Sequence, residues 1–162
     1  MKIYGLVQDS IVDGPGFRFV CFVQGCPHHC PGCHNPGSHD PNGGTEMTAD
    51  EVIAQMLSNP LTDGLTLSGG EPFAQAGDCL TLARVAHEKG LNVWSYSGWT
   101  FEELSHGTGE QRALLHELDV LVDGPYVQEE RSLTLNWRGS RNQRVIDVRK
   151  TLEAGEIVLF CD

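Results

Sequence analysis

The apolar and polar positions change period repeatedly along the 162 residues of this chain. Phe17-Arg18-Phe19-Val20-Cys21-Phe22-Val23 is apolar on both faces apart from Arg18. Such continuity predicts a parallel strand covered on both sides. Shorter runs at Leu65–Ser68, Leu91–Tyr96 and Asp119–Val122 repeat the signature; Lys2–Val7 precedes them, and Arg144–Val148 and Ile157–Phe160 follow. Helical signals lie between. Thr48-Ala49-Asp50-Glu51 has the spacing at which a threonine side chain and a glutamate side chain cap each other's backbone, and Val52, Ile53, Met56 and Leu57 give the segment through Leu57 one apolar face. A second helix is predicted from about Ala76 to Lys89, with Gly90 as its stop. Thr100 with Glu103 caps a third, which Gly107-Thr108-Gly109 breaks before Gln111–Leu118.

Strands alternating with helices predict parallel pairing through right-handed crossovers. A complete eight-unit barrel needs about 200–250 residues. The expected fold is therefore α/β, an incomplete (β/α) barrel of about five or six mainly parallel strands in a single domain over residues 1–162. A smaller doubly wound sheet is the alternative.

The run ending at Val23 feeds directly into Gly25-Cys26-Pro27-His28-His29-Cys30-Pro31-Gly32-Cys33-His34-Asn35-Pro36. Its prolines and Gly32 keep a regular helix from carrying the three cysteines apart, so C-x3-C-x2-C reads as a metal-binding loop at a strand's carboxyl end, where α/β sheets collect their chemistry. Three thiolates are one ligand short of a closed site. His28, His29 or His34 would complete a structural zinc site, whereas a cubane iron–sulfur cluster held by three cysteines leaves one iron open to an exogenous chelator. Both readings stand on spacing alone. Cys21, Cys79 and Cys161 read as small buried apolar residues.

Composition narrows the setting. Eleven basic against 22 acidic side chains give a net charge of −11, which disfavours a nucleic-acid backbone as partner. The first ten residues lack an apolar signal region and no run approaches a membrane span, so a cytoplasmic, reducing location is expected, in which six cysteines serve metal ligation better than disulfides.

A second motif, Ser68-Gly69-Gly70-Glu71-Pro72, follows the next β–α strand. Paired with the cysteine loop, it resembles the radical S-adenosylmethionine superfamily. Asp13-Gly14-Pro15-Gly16-Phe17-Arg18 resembles the D-G-x-G-x-R signature of activases for glycyl-radical enzymes. Gly25–Pro36, Tyr96–Phe101, Val122–Tyr126 and Trp137–Arg144 resemble the activating proteins of anaerobic ribonucleoside-triphosphate reductase over nearly the full chain. Gly32 stands where the wider superfamily has an aromatic residue, and the narrower group tends to have Pro-Gly there.

The resemblance implies that Cys26, Cys30 and Cys33 hold three irons of a [4Fe–4S] cluster whose fourth iron binds S-adenosylmethionine. It places the backbone of Gly32 and His34 against the adenine and makes Cys33 a further cofactor contact. Gly69, Gly70 and Glu71 would take the methionyl ammonium, and Ser97 would make a further cofactor contact. Asp13 would help hold the substrate's glycine loop. The implied partners are the reductase, an electron donor such as flavodoxin or ferredoxin, and a second copy in a homodimer. Activation of a pyruvate formate-lyase type enzyme is the alternative target.

Other residues carry plainer readings beside these. Asp123 ends another strand and is weighed as a site residue. Arg141, Asn142 and Arg144 are weighed as a polar patch for a partner or a cofactor carboxylate. Arg18 reads as a cation snorkelling from its strand, and Trp94, Trp99 and Trp137 as packing residues.

Overall fold

The computed structural model describes residues 1–161. Eight strands form one sheet: β1 (Lys2–Ser10), β2 (Arg18–Val23), β3 (Thr45–Glu46), β4 (Gly64–Gly69), β5 (Asn92–Tyr96), β6 (Val120–Asp123), β7 (Arg144–Asp147) and β8 (Leu159–Cys161). Their order is β3-β1-β2-β4-β5-β6-β7-β8. The pairings β2–β4, β4–β5 and β5–β6 are parallel. The flanking ones are antiparallel. The expectation of five or six mainly parallel strands is therefore corrected to eight, with a parallel centre of four and an antiparallel ribbon on either side.

Connection length explains the difference. Parallel neighbours need a crossover of about a dozen residues or more. Residues 11–17, between β1 and β2, and residues 148–158, between β7 and β8, are too few. Residues 124–143 are enough to return the chain after β6, but they hold only a single 3-10 turn at Gln128–Glu130 and no crossover helix.

Among the described residues there are five α-helices: α1 (Ala49–Met56), α2 (Ala76–Glu88), α3 (Phe101–Ser105), α4 (Gly109–Glu117) and α5 (Val148–Ala154). Capping boxes at Thr48/Glu51 and Thr100/Glu103 form as the spacing predicts. A third, Thr108 with Gln111, converts the glycine-flanked break into the start of α4. None of the helices is long and apolar enough to cross a membrane.

The helices cover one face of the sheet. Phe19, Cys21, Val23, Leu65, Leu67, Val93 and Leu121 alternate onto that face and pack with Val52, Leu82, Ala83, Leu114 and Val148 of the helices in the main core. Cys21 and Cys79 are fully buried there, and burial pushes the Cys21 thiol up to about 12. The opposite face carries a smaller cluster of Trp94, Val120, Val122 and Val145. Trp94 meets Trp137 edge-on at 5.1 Å and Phe160 at 5.2 Å. Beyond that cluster, the same face opens as a cavity at the carboxyl ends of the parallel strands, with Phe22, Ser68 and Tyr96 in its lining.

At the other end of the sheet, His87 near the end of α2 is clamped between two carboxylates. Its Nδ1 lies 2.9 Å from Glu117 and its Nε2 2.7 Å from Asp119, and Arg149 touches the other oxygen of Asp119 at 3.3 Å. Partial burial disfavours the imidazolium, but the hydrogen bonds it donates to Asp119 and Glu117 outweigh that, so the pKa is raised above the ordinary 6.5. A raised folded pKa stabilises the fold fully below the unfolded value and loses that contribution as pH rises through the folded one. Urea midpoints of the wild type should therefore fall as pH rises from below about 6.5 through the raised value. His87→Asn should remove that part of the slope.

Candidate active site

Strand β2 ends at Val23, and the cysteine loop leaves the sheet through Gln24 and Gly25. Gly25 N donates to Ser38 O at 2.6 Å and Cys26 N to His39 O at 3.2 Å, pinning the loop's entry. The glycine pair after β4 packs onto the same point. Gly70 N donates to Val23 O at 3.0 Å and Glu71 N to Gly25 O at 2.8 Å. A Cβ at Gly69, whose φ is +110°, would lie 2.5 Å from Val23 O, and one at Gly70 would overlap the Gly25 carbonyl. The glycines thus serve the approach of one strand end to another as well as any approach to a ligand.

Cys26, Cys30 and Cys33 line one cavity of about 120 Å³, together with Gly69, Gly70, Ser97 and His28. A larger cavity of about 430 Å³ adjoins it, sharing Cys33, Gly69, Tyr96, Tyr126 and Gln143, and reaches Asp13 and His34. All three cysteines are free thiols. Burial pushes the Cys26 thiol up. Among the described residues, no three of His, Cys, Asp and Glu converge on a point that one metal ion could occupy. Tyr96, Tyr126 and Gln143, which sequence reasoning did not single out as site residues, join the two cavities. Tyr96 and Tyr126 fall within stretches that carry the family resemblance, which was the only signal for them. Burial raises the Tyr96 pKa, so its phenol stays a neutral donor.

Glu71 stands behind the wall of these cavities. It is fully buried. Its Oε1 accepts from Gly98 N at 2.8 Å and lies 2.6 Å from His28 Nε2; Oε2 accepts from Phe73 N at 3.0 Å; the Ser97 hydroxyl reaches both oxygens at 3.0 Å. A carboxylate so fully engaged acts on the cavity through Ser97, Gly98 and His28. Gly32 lies outside both linings, its backbone at φ +76° turning against the Gln128 side chain. His34 faces Tyr126, ring centroids 5.1 Å apart. His29 and His39 meet edge-on at 5.2 Å.

Other candidates are tied elsewhere. Asp123 is buried and accepts from Arg144 Nη2 at 2.6 Å and Phe101 N at 2.7 Å. Arg144 also holds Glu102 at 2.6 Å, and Asn142 Nδ2 donates to Pro125 O at 2.7 Å. Two members of the expected polar patch therefore brace the loop after β6, and Asp123 anchors the start of α3.

Arg18 does not snorkel. It is fully buried. Nε donates to Thr66 Oγ1 at 2.7 Å, Nη1 to Pro15 O at 3.0 Å and Nη2 to Leu65 O at 2.9 Å, with the guanidinium 5.5 Å from the Trp94 ring centroid. Desolvation lowers its pKa to about 10, which keeps it charged. Thr66 passes the link on, donating to Asp13 O at 2.7 Å, while the Asp13 carboxylate accepts from Ser10 at 2.6 Å. Arg18 therefore braces the Asp13–Gly16 turn from below.

Residues 12–146 match the family model described as a 4Fe-4S single cluster domain. The anaerobic ribonucleoside-triphosphate reductase-activating protein of Salmonella typhi is 37% identical over 157 residues, which cover 92% of this chain and 100% of the relative. That of Escherichia coli K12 is 37% identical over 150 residues, covering 86% and 94%. This chain belongs to that family. The activating protein of Enterobacteria phage T4 is 33% identical over 84% of this chain and 87% of its own. The solved structure of QueE from Escherichia coli superposes on 61% of this chain and 52% of its own, with a TM-score of 0.48 and 16% identity, too loosely to bear on the fold.

The donor set of this activating protein suits the cluster that the family description names. Soft thiolates are the ordinary ligands of iron–sulfur clusters. The three cysteines line one cavity, and the family model that the chain matches is named for a single 4Fe-4S cluster. His28, one of the histidines that would complete a zinc site, is already hydrogen-bonded to Glu71.

The buried cation gives this site a mechanical test. A Cβ at Gly64 would lie 2.6 Å from the Arg18 guanidinium carbon. Gly64→Ala should lower stability by about 1–3 kcal/mol, the ordinary cost of overpacking, read as a lower urea midpoint with unchanged slope. Gly90→Ala meets no atom within 4 Å but must adopt φ +78°, so its cost should be a backbone cost of about 1 kcal/mol.

Proposed function

We propose that this protein activates an anaerobic ribonucleoside-triphosphate reductase as a radical S-adenosylmethionine enzyme, with Cys26, Cys30 and Cys33 holding three irons of a [4Fe–4S] cluster. The observation that carries this reading is convergence. The three cysteines after β2, Gly69-Gly70 at the end of β4 and Ser97 after β5 line one cavity at the ends of three adjacent parallel strands. When bound, the reduced cluster and S-adenosylmethionine supply a 5′-deoxyadenosyl radical that takes a hydrogen atom from a glycine Cα of the reductase, leaving the glycyl radical.

The chain's own residues supply position and exclusion. The carbonyls of Gly69 and Gly70 would accept from the methionyl ammonium, and the loop around Gly32 and His34 would border the adenine. Ser97 lines the same wall, and Glu71 holds Ser97 and Gly98 in place from the interior. Asp13, on a turn braced by Arg18 and Thr66, lies on the far side of the larger cavity, where the reductase's glycine loop would enter. Tyr96 and Tyr126 form the apolar walls that keep water from the reacting centre.

The finer reading extends to architecture and setting. Residues 1–162 act as a single radical S-adenosylmethionine domain, its open sheet an incomplete barrel with the cavity on the inner face. The protein works in the cytoplasm as a homodimer and is reduced by a flavodoxin or ferredoxin.

Anaerobic incubation of the reconstituted, reduced protein with S-adenosylmethionine and the reductase should give the electron paramagnetic resonance doublet of a glycyl radical. Cys26→Ala, Cys30→Ala and Cys33→Ala should each abolish cofactor cleavage. A radical formed only on a pyruvate formate-lyase type partner would move the target. A colourless protein carrying one tight zinc ion would sink the chemistry.

A further inference from the structure

His28 stands between the first two cysteines of the loop, yet its ring is committed to the opposite wall. Nε2 lies 2.6 Å from the buried Glu71 Oε1. The ring meets Trp99 edge-on, centroids 4.8 Å apart, and fills the space that a Cβ at Gly98 would need. Among the described residues, the segment 27–32 is otherwise tied only to its own neighbour, Cys33 N donating to Cys30 O at 3.1 Å, so the His28–Glu71 hydrogen bond is what joins it to the rest of the protein. The segment also contains His29 at φ +50°, a left-handed conformation that costs a non-glycine residue energy and persists only where the surroundings hold it.

On the partner side, Glu71 collects Ser97, Gly98 and Phe73. One carboxylate therefore joins the cysteine loop, the turn after β5 and the turn after β4. We propose that His28 is a positioning residue: through Glu71 and Trp99 it clamps the cysteine loop against the Ser97–Gly98 turn and so fixes the thiolates in register with the wall of the cofactor cavity. This rests on the reading of that cavity as the cofactor's. Imidazole suits the task because its Nε2–H reaches a single oxygen of Glu71 while its ring packs edge-on against Trp99. An alanine would leave a buried carboxylate short of one donor and the loop without its tether.

The test compares the wild type, His28→Ala and His28→Gln, whose side-chain amide can present a donor near the position of Nε2. After anaerobic reconstitution, iron and sulfide per protein should be the same in all three. Affinity for S-adenosylmethionine, measured by equilibrium dialysis, should fall about tenfold or more in His28→Ala, the factor carried by a hydrogen bond to a charged group. His28→Gln should recover most of it. In the cluster-free proteins, amide hydrogen exchange at residues 28–30 should quicken about tenfold in His28→Ala while α2 and α4 exchange as before.

Iron lost in His28→Ala would make His28 a ligand and overturn the proposal. So would unchanged affinity and exchange, or a His28→Gln variant as impaired as His28→Ala. A wild type that binds no S-adenosylmethionine would overturn the functional reading instead, and the exchange comparison in cluster-free protein would still decide whether His28 tethers the loop.

Discussion

A carboxylate withdrawn from water costs several kcal/mol unless its oxygens are paired or hydrogen-bonded, and Glu71 is fully buried. Its oxygens meet that demand with donors from three different parts of the chain: Phe73 just beyond it, Ser97 and Gly98 after β5, and His28 within the cysteine loop. Because the cost of leaving the charge unpaired exceeds the cost of ordering any one donor, these segments are held in one arrangement. The approach is possible because Gly69 and Gly70 carry no side chains where Val23 and Gly25 pass.

A second buried charge does the corresponding work at the other end of the central strands. Arg18 opens β2, and its guanidinium is spent on Thr66, the Leu65 carbonyl and the Pro15 carbonyl rather than on a carboxylate. Carbonyl dipoles replace the hydration of the cation without neutralising it, so the desolvation cost stays visible in the lowered pKa of about 10. Gly64 and Gly14 leave the room. The activase signature around Asp13 is therefore a structural unit in its own right: the arginine at its end holds the turn at its start.

The order of elements was legible in the sequence because each β–α unit carries strong local punctuation. Threonine capping boxes and Gly90 act over a few residues and do not depend on tertiary context. Strand direction was not legible at the flanks. Antiparallel return is decided by connection length and by the absence of a crossover helix in residues 124–143, and an apolar run such as Arg144–Val148 has the same composition in either direction. The cysteines and Gly69-Gly70 were legible as a pair because their spacing is constrained by chemistry. The roles of Glu71, Arg18 and Asp123 were not, since a charged residue at a strand end looks alike whether it faces a cavity or the interior. Only the positions of Ser97, Gly98 and His28 decide the matter for Glu71, and they come from 26 residues downstream and beyond, and from 43 residues upstream.

The two cavities share Cys33, Gly69 and Tyr96 and differ at their far ends, one reaching Cys26 and Cys30, the other Asp13 and Val12. A ligand chelated at the thiolate end and extending past Tyr96 would therefore present its distal part towards the Asp13 turn. That order suits the proposed chemistry, in which Cys26, Cys30 and Cys33 would hold the cluster at one end and the Asp13 turn would face the partner's glycine at the other. A closed zinc staple has no use for such a passage, because a structural ion is best served by ligands that converge and exclude everything else. The shape of the space beside the cysteines thus argues for a reactive centre independently of the thiolate count.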